Sequence, residues 1–331
     1  MKTQIARRLH LLCSILPPIA CFLAACDNDV VITAEELIED SMATHPMHQL
    51  MTQRKDTLRI FAIGNSYTLD PTYYLSSLVD CTEIPADRWC VYGVTANNAS
   101  LSYWWKSFVD GTALDCTIQY GGLAMESYGT LAELLSQSWD IISFQQVSYL
   151  SYNYSSFFPE LDFLISTVRR LCPNPDVQIA WQQTWSYDDN FGNALTCEQM
   201  YQGIAAATTQ LFSDGSIDIL IPTGTAIQNA RSTSLNTPHN LTRDGTHLCQ
   251  GVGLYIGACT WFQTLFAPVF DVTILGNPAT HRVSDTERWW DTPYEPVDVT
   301  SENRELCQQC AFEAVYHPFE ITIIDENSTA L

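Results

Sequence analysis

The sequence predicts an α/β fold, a parallel sheet covered by helices on both faces. Three observations carry this. Five short, mostly apolar runs recur at 58–63, 89–94, 141–145, 177–182 and 217–221. Segments with helical patterning separate them, which is the alternation of a parallel sheet. And 46% of the 331 residues are hydrophobic, enough to bury a sheet from two sides.

Taken in order, 58–63 (LRIFAI) reads as a buried strand and 71–79 as a helix. Residues 89–94 (WCVYGV) form the second strand. A helix follows at 102–109, with Trp104, Trp105 and Phe108. Residues 115–125 contain Gly121-Gly122 and read as an inserted hairpin. A helix at 130–136 leads to the third strand, 141–145 (IISFQ). The helix at 158–171 stops at Cys172-Pro173, before the fourth strand, 177–182 (VQIAWQ). A helix at 198–212 precedes the fifth strand, 217–221 (IDILI). Residues 247–266, apolar and Gly-spotted, predict a buried helix. Residues 267–300 read as an irregular, Pro/Trp-rich excursion before a last helix at 301–316, which opens on a Ser/Glu cap. The body is expected over 57–325.

The N-terminus predicts export. Lys2, Arg7 and Arg8 precede a mostly apolar stretch at 11–23 that Pro17-Pro18 interrupts, too short and broken to span a bilayer. It ends in Leu23-Ala24-Ala25-Cys26, which resembles a bacterial lipobox. The expectation is a lipoprotein signal over 1–25, lipid on Cys26, a tether to 56, and membrane attachment through the acyl chains at the outer membrane or cell surface. An ordinary leader with a chance Cys is the alternative. Nine further Cys then remain, an odd number that excludes complete pairing within the chain. Cys307-Gln-Gln-Cys310 has no second CxxC, so it reads as a packed helix face or a local disulfide rather than a metal site.

A net charge of -22 repels phosphate backbones, so nucleic-acid partners are not expected. Neutral or cationic ligands stay open, and simple solubility outside the cell explains the charge equally well.

In parallel sheets, ligands sit beyond the carboxyl ends of the strands. After the first strand stands Gly64-Asn65-Ser66-Tyr67-Thr68, which places Ser66 at that edge near a helix N-terminus. On this turn alone, a plain helix N-cap accounts for Ser66. Later comes Thr242-Arg243-Asp244-Gly245-Thr246-His247, where Asp and His three apart can meet across one turn and leave Nε2 for a nucleophile. Alone, this too reads as a helix start with a capping Asp.

Together the two segments resemble the SGNH/GDSL hydrolase superfamily, in the order of Ser early and Asp and His late. The resemblance covers most of 58–317. It implies a three-layer, flavodoxin-like sandwich with a five-stranded parallel sheet. Ser66 would be nucleophile, His247 base and acid, and Asp244 its orienting group. Two blocks depart from the common pattern. Asn98 stands where such proteins usually have an oxyanion-binding Gly, and Gln145-Gln146 where they usually have Asn. By the resemblance the oxyanion hole would be the N–H groups of Ser66 and Asn98 with the amide of Gln145 or Gln146. Plain polar termination of a strand also explains these glutamines. A Gln there is similar to carbohydrate-acetylesterase branches, and to an uncharacterised group of Bacteroidetes-type exported proteins that share Gly-Asn-Ser-Tyr-Thr and Thr184-Trp185-Ser186-Tyr187. Aromatics near the predicted edge, with Trp185, Tyr187 and Tyr149 foremost, suit sugar rings. The expected activity is serine-dependent removal of acetyl or other short acyl groups from glycans, with no cofactor or metal. The alternatives are a non-catalytic glycan-binding lipoprotein on the same scaffold, or a lipid esterase or thioesterase.

Overall fold

The computed structural model describes residues 56–237, 241–287 and 295–326. The expected leader at 1–25, Cys26 and the tether up to 55 lie outside the described residues, as does 288–294 of the expected excursion. The strands are β1 (Leu58–Gly64), β2 (Trp89–Thr95), β3 (Ala113–Asp115), β4 (Ile118–Gly121), β5 (Tyr128–Thr130), β6 (Ile141–Phe144), β7 (Gln178–Gln182) and β8 (Ile219–Ile221). The helices are α1 (Ser66–Thr72), α2 (Leu75–Asp80), α3 (Leu101–Asp110), α4 (Leu131–Leu135), α5 (Glu160–Leu171), α6 (Cys197–Ser213), α7 (Thr223–Arg231), α8 (Val252–Trp261), α9 (Ala267–Phe270) and α10 (Arg304–Tyr316).

The main sheet runs β4-β2-β1-β6-β7-β8, parallel except for β4. Its five parallel strands therefore follow the flavodoxin-like order 2-1-3-4-5. β1 is central and buried on both faces. Leu58, Ile60 and Ala62 enter one core, and Phe61 and Ile63 enter the other. The first core takes its cover from α1, α2, α7, α8 and α10. The second takes Leu101 and Trp104 of α3, Leu131 and Leu134 of α4, and Leu161 and Leu164 of α5. α6 straddles the two, giving Met200 and Ile204 to one and Ala207 and Leu211 to the other. The result is a three-layer α/β sandwich.

Several elements differ from expectation. The hairpin expected at 115–125 is instead split. β4 adds an antiparallel sixth strand beside β2, and β3 pairs with β5. Gly121 allows this approach: its φ is +86°, and a Cβ there would sit 2.3 Å from the Trp89 carbonyl oxygen. The helix expected at 71–79 begins earlier, at Ser66, and ends at Thr72, with Pro71 inside it. The chain restarts as α2. The helix expected from 247 begins at Val252, preceded by Gly251 at φ +85°. A π-helical turn, Phe262–Phe266, continues it into α9. The part of the excursion that is described is pinned to the body by a bridge from Val297 to Gly251 and folded on itself by one from Val299 to His281. Helix α7 was not expected at all.

Candidate active site

The carboxyl ends of β1, β2, β6 and β7 lie on one edge of the sheet, and the segments leaving them build a cleft of about 420 Å³. β1 ends at Gly64, and Asn65 then caps α1. Its side-chain oxygen accepts from the Tyr67 N–H at 2.9 Å. Ser66 is therefore the first residue of α1, with its N–H among those no helical carbonyl can take. The helix dipole adds partial positive charge at that point.

The residues around Asp244 and His247 do not open a helix. They form the tip of a tight hairpin, closed by Arg243 N–H to His247 O at 2.9 Å and Cys249 N–H to Leu241 O at 2.9 Å. Gly245 at φ +87° makes that turn feasible, since its neighbour Phe191 would stand 3.1 Å from any Cβ. The hairpin brings His247 to α1. His247 Nε2 lies 2.8 Å from Ser66 Oγ, and Nδ1 lies 2.6 Å from Asp244 Oδ2. A carboxylate can only accept, so Nδ1 carries the proton and Nε2 faces the hydroxyl with a lone pair. Asp244 Oδ1 accepts from the N–H and hydroxyl of Thr246 and from the His247 N–H, at 2.9, 2.8 and 2.7 Å. Burial alone would push the Asp244 carboxyl up. The bonds and charge of His247 and the Thr246 N–H outweigh it and hold the carboxyl well below the usual carboxylate range. The sequence-predicted Ser66, Asp244 and His247 are thus brought into one hydrogen-bonded chain, 181 residues apart between serine and histidine.

Asn98 takes φ +54°, the left-handed conformation that a Gly would adopt freely, and lines the cleft. Gln145 and Gln146 do not line it, and their expected part as oxyanion donors is corrected. Gln145 is buried between neighbours, with Nε2 donating to Asn65 Oδ1 at 2.7 Å and Oε1 accepting from the Thr68 hydroxyl at 2.6 Å. Gln146 donates from Nε2 to Ser156 O at 2.7 Å and accepts from Val147 N–H at 2.8 Å. They tie the cap and the loop together instead. Asn65 completes the tie by donating to Ala99 O at 2.9 Å, which links the ends of β1, β2 and β6.

Of the expected substrate contacts, Tyr149 is half exposed on the cleft wall, and Tyr187 lines it with its hydroxyl 2.7 Å from Ser148 Oγ. Burial pushes the Tyr187 hydroxyl up, so it stays a neutral phenol. Trp185 is corrected. It is fully buried, stacks on Tyr67 at 4.1 Å, and donates from Nε1 to Thr246 O at 2.6 Å. The Tyr67 hydroxyl donates to the same carbonyl at 2.7 Å. Both rings brace the hairpin tip from below. Sequence reasoning missed Phe191, an exposed ring on the cleft wall edge-on to Tyr187 at 5.0 Å. Its only signal was an aromatic two residues after an Asp-Asp pair. Among the described residues, no lysine or arginine lines the cleft.

Comparison with known proteins agrees with this fold. A crystal structure of a DUF4886 family protein from Bacteroides uniformis superposes with a TM-score of 0.66 at 26% identity, over 81% of this chain and 98% of that one. Far looser are a gut microbial diltiazem-metabolizing enzyme, with a TM-score of 0.39 at 13% identity over 66% of this chain and 49% of that one, and an acetyl xylan esterase from Geobacillus stearothermophilus, with 0.40 at 11% over 66% and 96%. Superpositions that loose say nothing of a shared reaction. No curated protein matches the chain. The sequence profile of DUF4886, a domain of unknown function, matches residues 59–287, and the chain therefore belongs to the DUF4886 family.

Proposed function

We propose that this protein is a serine esterase of the SGNH type that removes acetyl or other short acyl groups from glycans. The observation that carries the reading is the Ser66–His247–Asp244 chain, at 2.8 and 2.6 Å, opening on a cleft at the carboxyl edge of the sheet. His247 Nε2 takes the hydroxyl proton as Ser66 Oγ bonds to the ester carbon. The oxyanion that forms faces the N–H groups of Ser66 and Asn98, and one such donor contributes about 2.7–4 kcal/mol to lowering the barrier. His247 then gives its proton to the departing sugar oxygen as the ester C–O bond breaks. Water repeats the attack on the acyl-serine with His247 again as base, releasing the carboxylic acid and free Ser66.

Two features support a sugar as the leaving group. Tyr149, Tyr187 and Phe191 give the cleft a wall of rings, which suits the apolar face of a pyranose. A lining without lysine or arginine among the described residues favours a neutral group over a phosphorylated one. The sequence ahead of the body adds a proposed setting, a lipid-anchored protein of the cell envelope attached through Cys26.

The test is hydrolysis of p-nitrophenyl acetate by residues 27–331, with Ser66→Ala alongside. Activity in the first and none in the second supports an esterase, whereas equal rates in the two reject it. Acetate release from acetylated xylan, pectin or sialic acid, set against hydrolysis of a long-chain lipid ester, then separates glycan from lipid substrates.

A further inference from the structure

We infer that Asp70, with Arg243 as its partner, is a positioning residue that sets the register of Asp244 and His247 against Ser66. The inference rests on reading those three residues as the catalytic triad. Asp70 lies four residues after Ser66, one turn along α1, so its carboxylate is fixed relative to the nucleophile by the helix itself. It reaches across to the hairpin and makes three bonds there. Oδ1 accepts from Arg243 Nη2 at 3.1 Å, and Oδ2 accepts from Arg243 Nη1 at 3.1 Å and from the Leu248 N–H at 2.8 Å.

The choice of residues matters. Arg243 directly precedes Asp244, and Leu248 directly follows His247. The acid and base therefore hang between two anchor points that share a single carboxylate, and that carboxylate rides on the helix carrying Ser66. Arg243 Nη1 also donates to Leu248 O, which closes the hairpin over the same point. A two-pronged guanidinium–carboxylate contact fixes orientation as well as distance.

Stability alone does not call for charge here. The two side chains are 1% and 3% exposed. Removing ions that deep from water costs enough that well-packed apolar residues are often as stable or more so. What an apolar pair would lack is direction. A hydrophobic contact lets the hairpin slide over α1, whereas three directional bonds hold one register. Displacing reacting groups by about 1 Å costs on the order of 10²-fold in rate.

The experiment compares the wild type with Asp70→Asn by two readouts. The first is the low-field proton resonance of His247 Nδ1–H in its bond to Asp244, assigned by its loss in His247→Gln. The second is kcat and KM on p-nitrophenyl acetate. A cooperative thermal melt establishes that each variant is folded. The expected result is a folded Asp70→Asn whose resonance is lost or broadened and whose kcat falls by about 10-fold or more, with KM within about twofold. A folded Asp70→Asn with resonance and kcat unchanged overturns the inference. Should Asp70→Asn not fold, Arg243→Lys keeps the charge but loses the fork. The same two readouts then decide: a fall in kcat of about 10-fold supports the inference, and a wild-type kcat overturns it. If the wild type hydrolyses no ester, the esterase reading fails, while the resonance comparison still decides whether Asp70 holds His247 in place.

Discussion

At the scale of single residues, the site divides into groups that face the cleft and groups that hold those groups still. Asp244 belongs to both sets, because it orients the imidazole and ties down the hairpin tip. Asp244→Asn should lower kcat by about 10⁴-fold, since an amide can donate to Nδ1 and select the wrong tautomer, and steady-state kinetics on a soluble acetyl ester would read this directly. The carboxyl also has a pH signature. Its folded value is depressed, so its contribution to stability is complete above the unfolded value, about pH 4, and is lost as pH falls through the folded one. The difference in melting temperature between wild type and Asp244→Asn should therefore be present at neutral pH and shrink on acidification below about pH 4. Among these residues, Ser66, Asp244 and His247 were legible because each sits in a turn whose residue types are unusual together. Gln145 and Trp185 were misread for one reason: a residue just past a strand can point toward the cleft or back into the body, and spacing does not distinguish them. Asp70 and Arg243 were invisible as a pair, because nothing in sequence relates two charges 173 positions apart.

At the scale of elements, glycines and caps decide where the site's supports begin. Gly251 stands at the entrance to α8 with φ +85°, and a Cβ there would lie 1.8 Å from the Val297 carbonyl oxygen. Both the conformation and the space exclude a side chain. Gly251→Ala should destabilise the protein by more than about 1 kcal/mol, read as a lowered denaturation midpoint. Tyr67→Phe should do less, about 0.5–1.5 kcal/mol, since it removes one of two donors to Thr246 O and leaves the ring stacked on Trp185. The five parallel strands were legible because each is a short apolar run buried on both faces. Helix α7 was not, because it buries polar groups. Thr225 Oγ1 bonds Gln183 Oε1 and Pro318 O, and Asn229 bonds Cys310 O and the Thr322 N–H. Periodicity counts such residues as exposed. β4 was misplaced because a Gly-Gly pair marks a bend without saying which strand lies next to it.

At the scale of the whole molecule, the dominant property is a net charge of -22, with no lysine or arginine lining the cleft among the described residues. Neutral and polyanionic substrates should then respond differently to salt. Deacetylation of neutral xylan should vary little with ionic strength. Deacetylation of acetylated pectin should be slow in dilute buffer and accelerate as salt is added, because the Debye length shortens from about 30 Å at 0.01 M to about 10 Å at 0.1 M. Acetate release measured across a salt series on both polymers would check this.

The stretch Val252–Phe270 is long and apolar enough to cross a bilayer, with a mean hydropathy of 1.3 over its 18-residue window, yet 94% of that window is buried inside the folded body. Before folding, these nineteen residues are indistinguishable by hydrophobicity from a stop-transfer sequence. In the folded protein α10 packs over α8 and the segment lies in the core instead. If the chain is exported as proposed, the route must keep this segment from partitioning into the bilayer until the residues that cover it have followed.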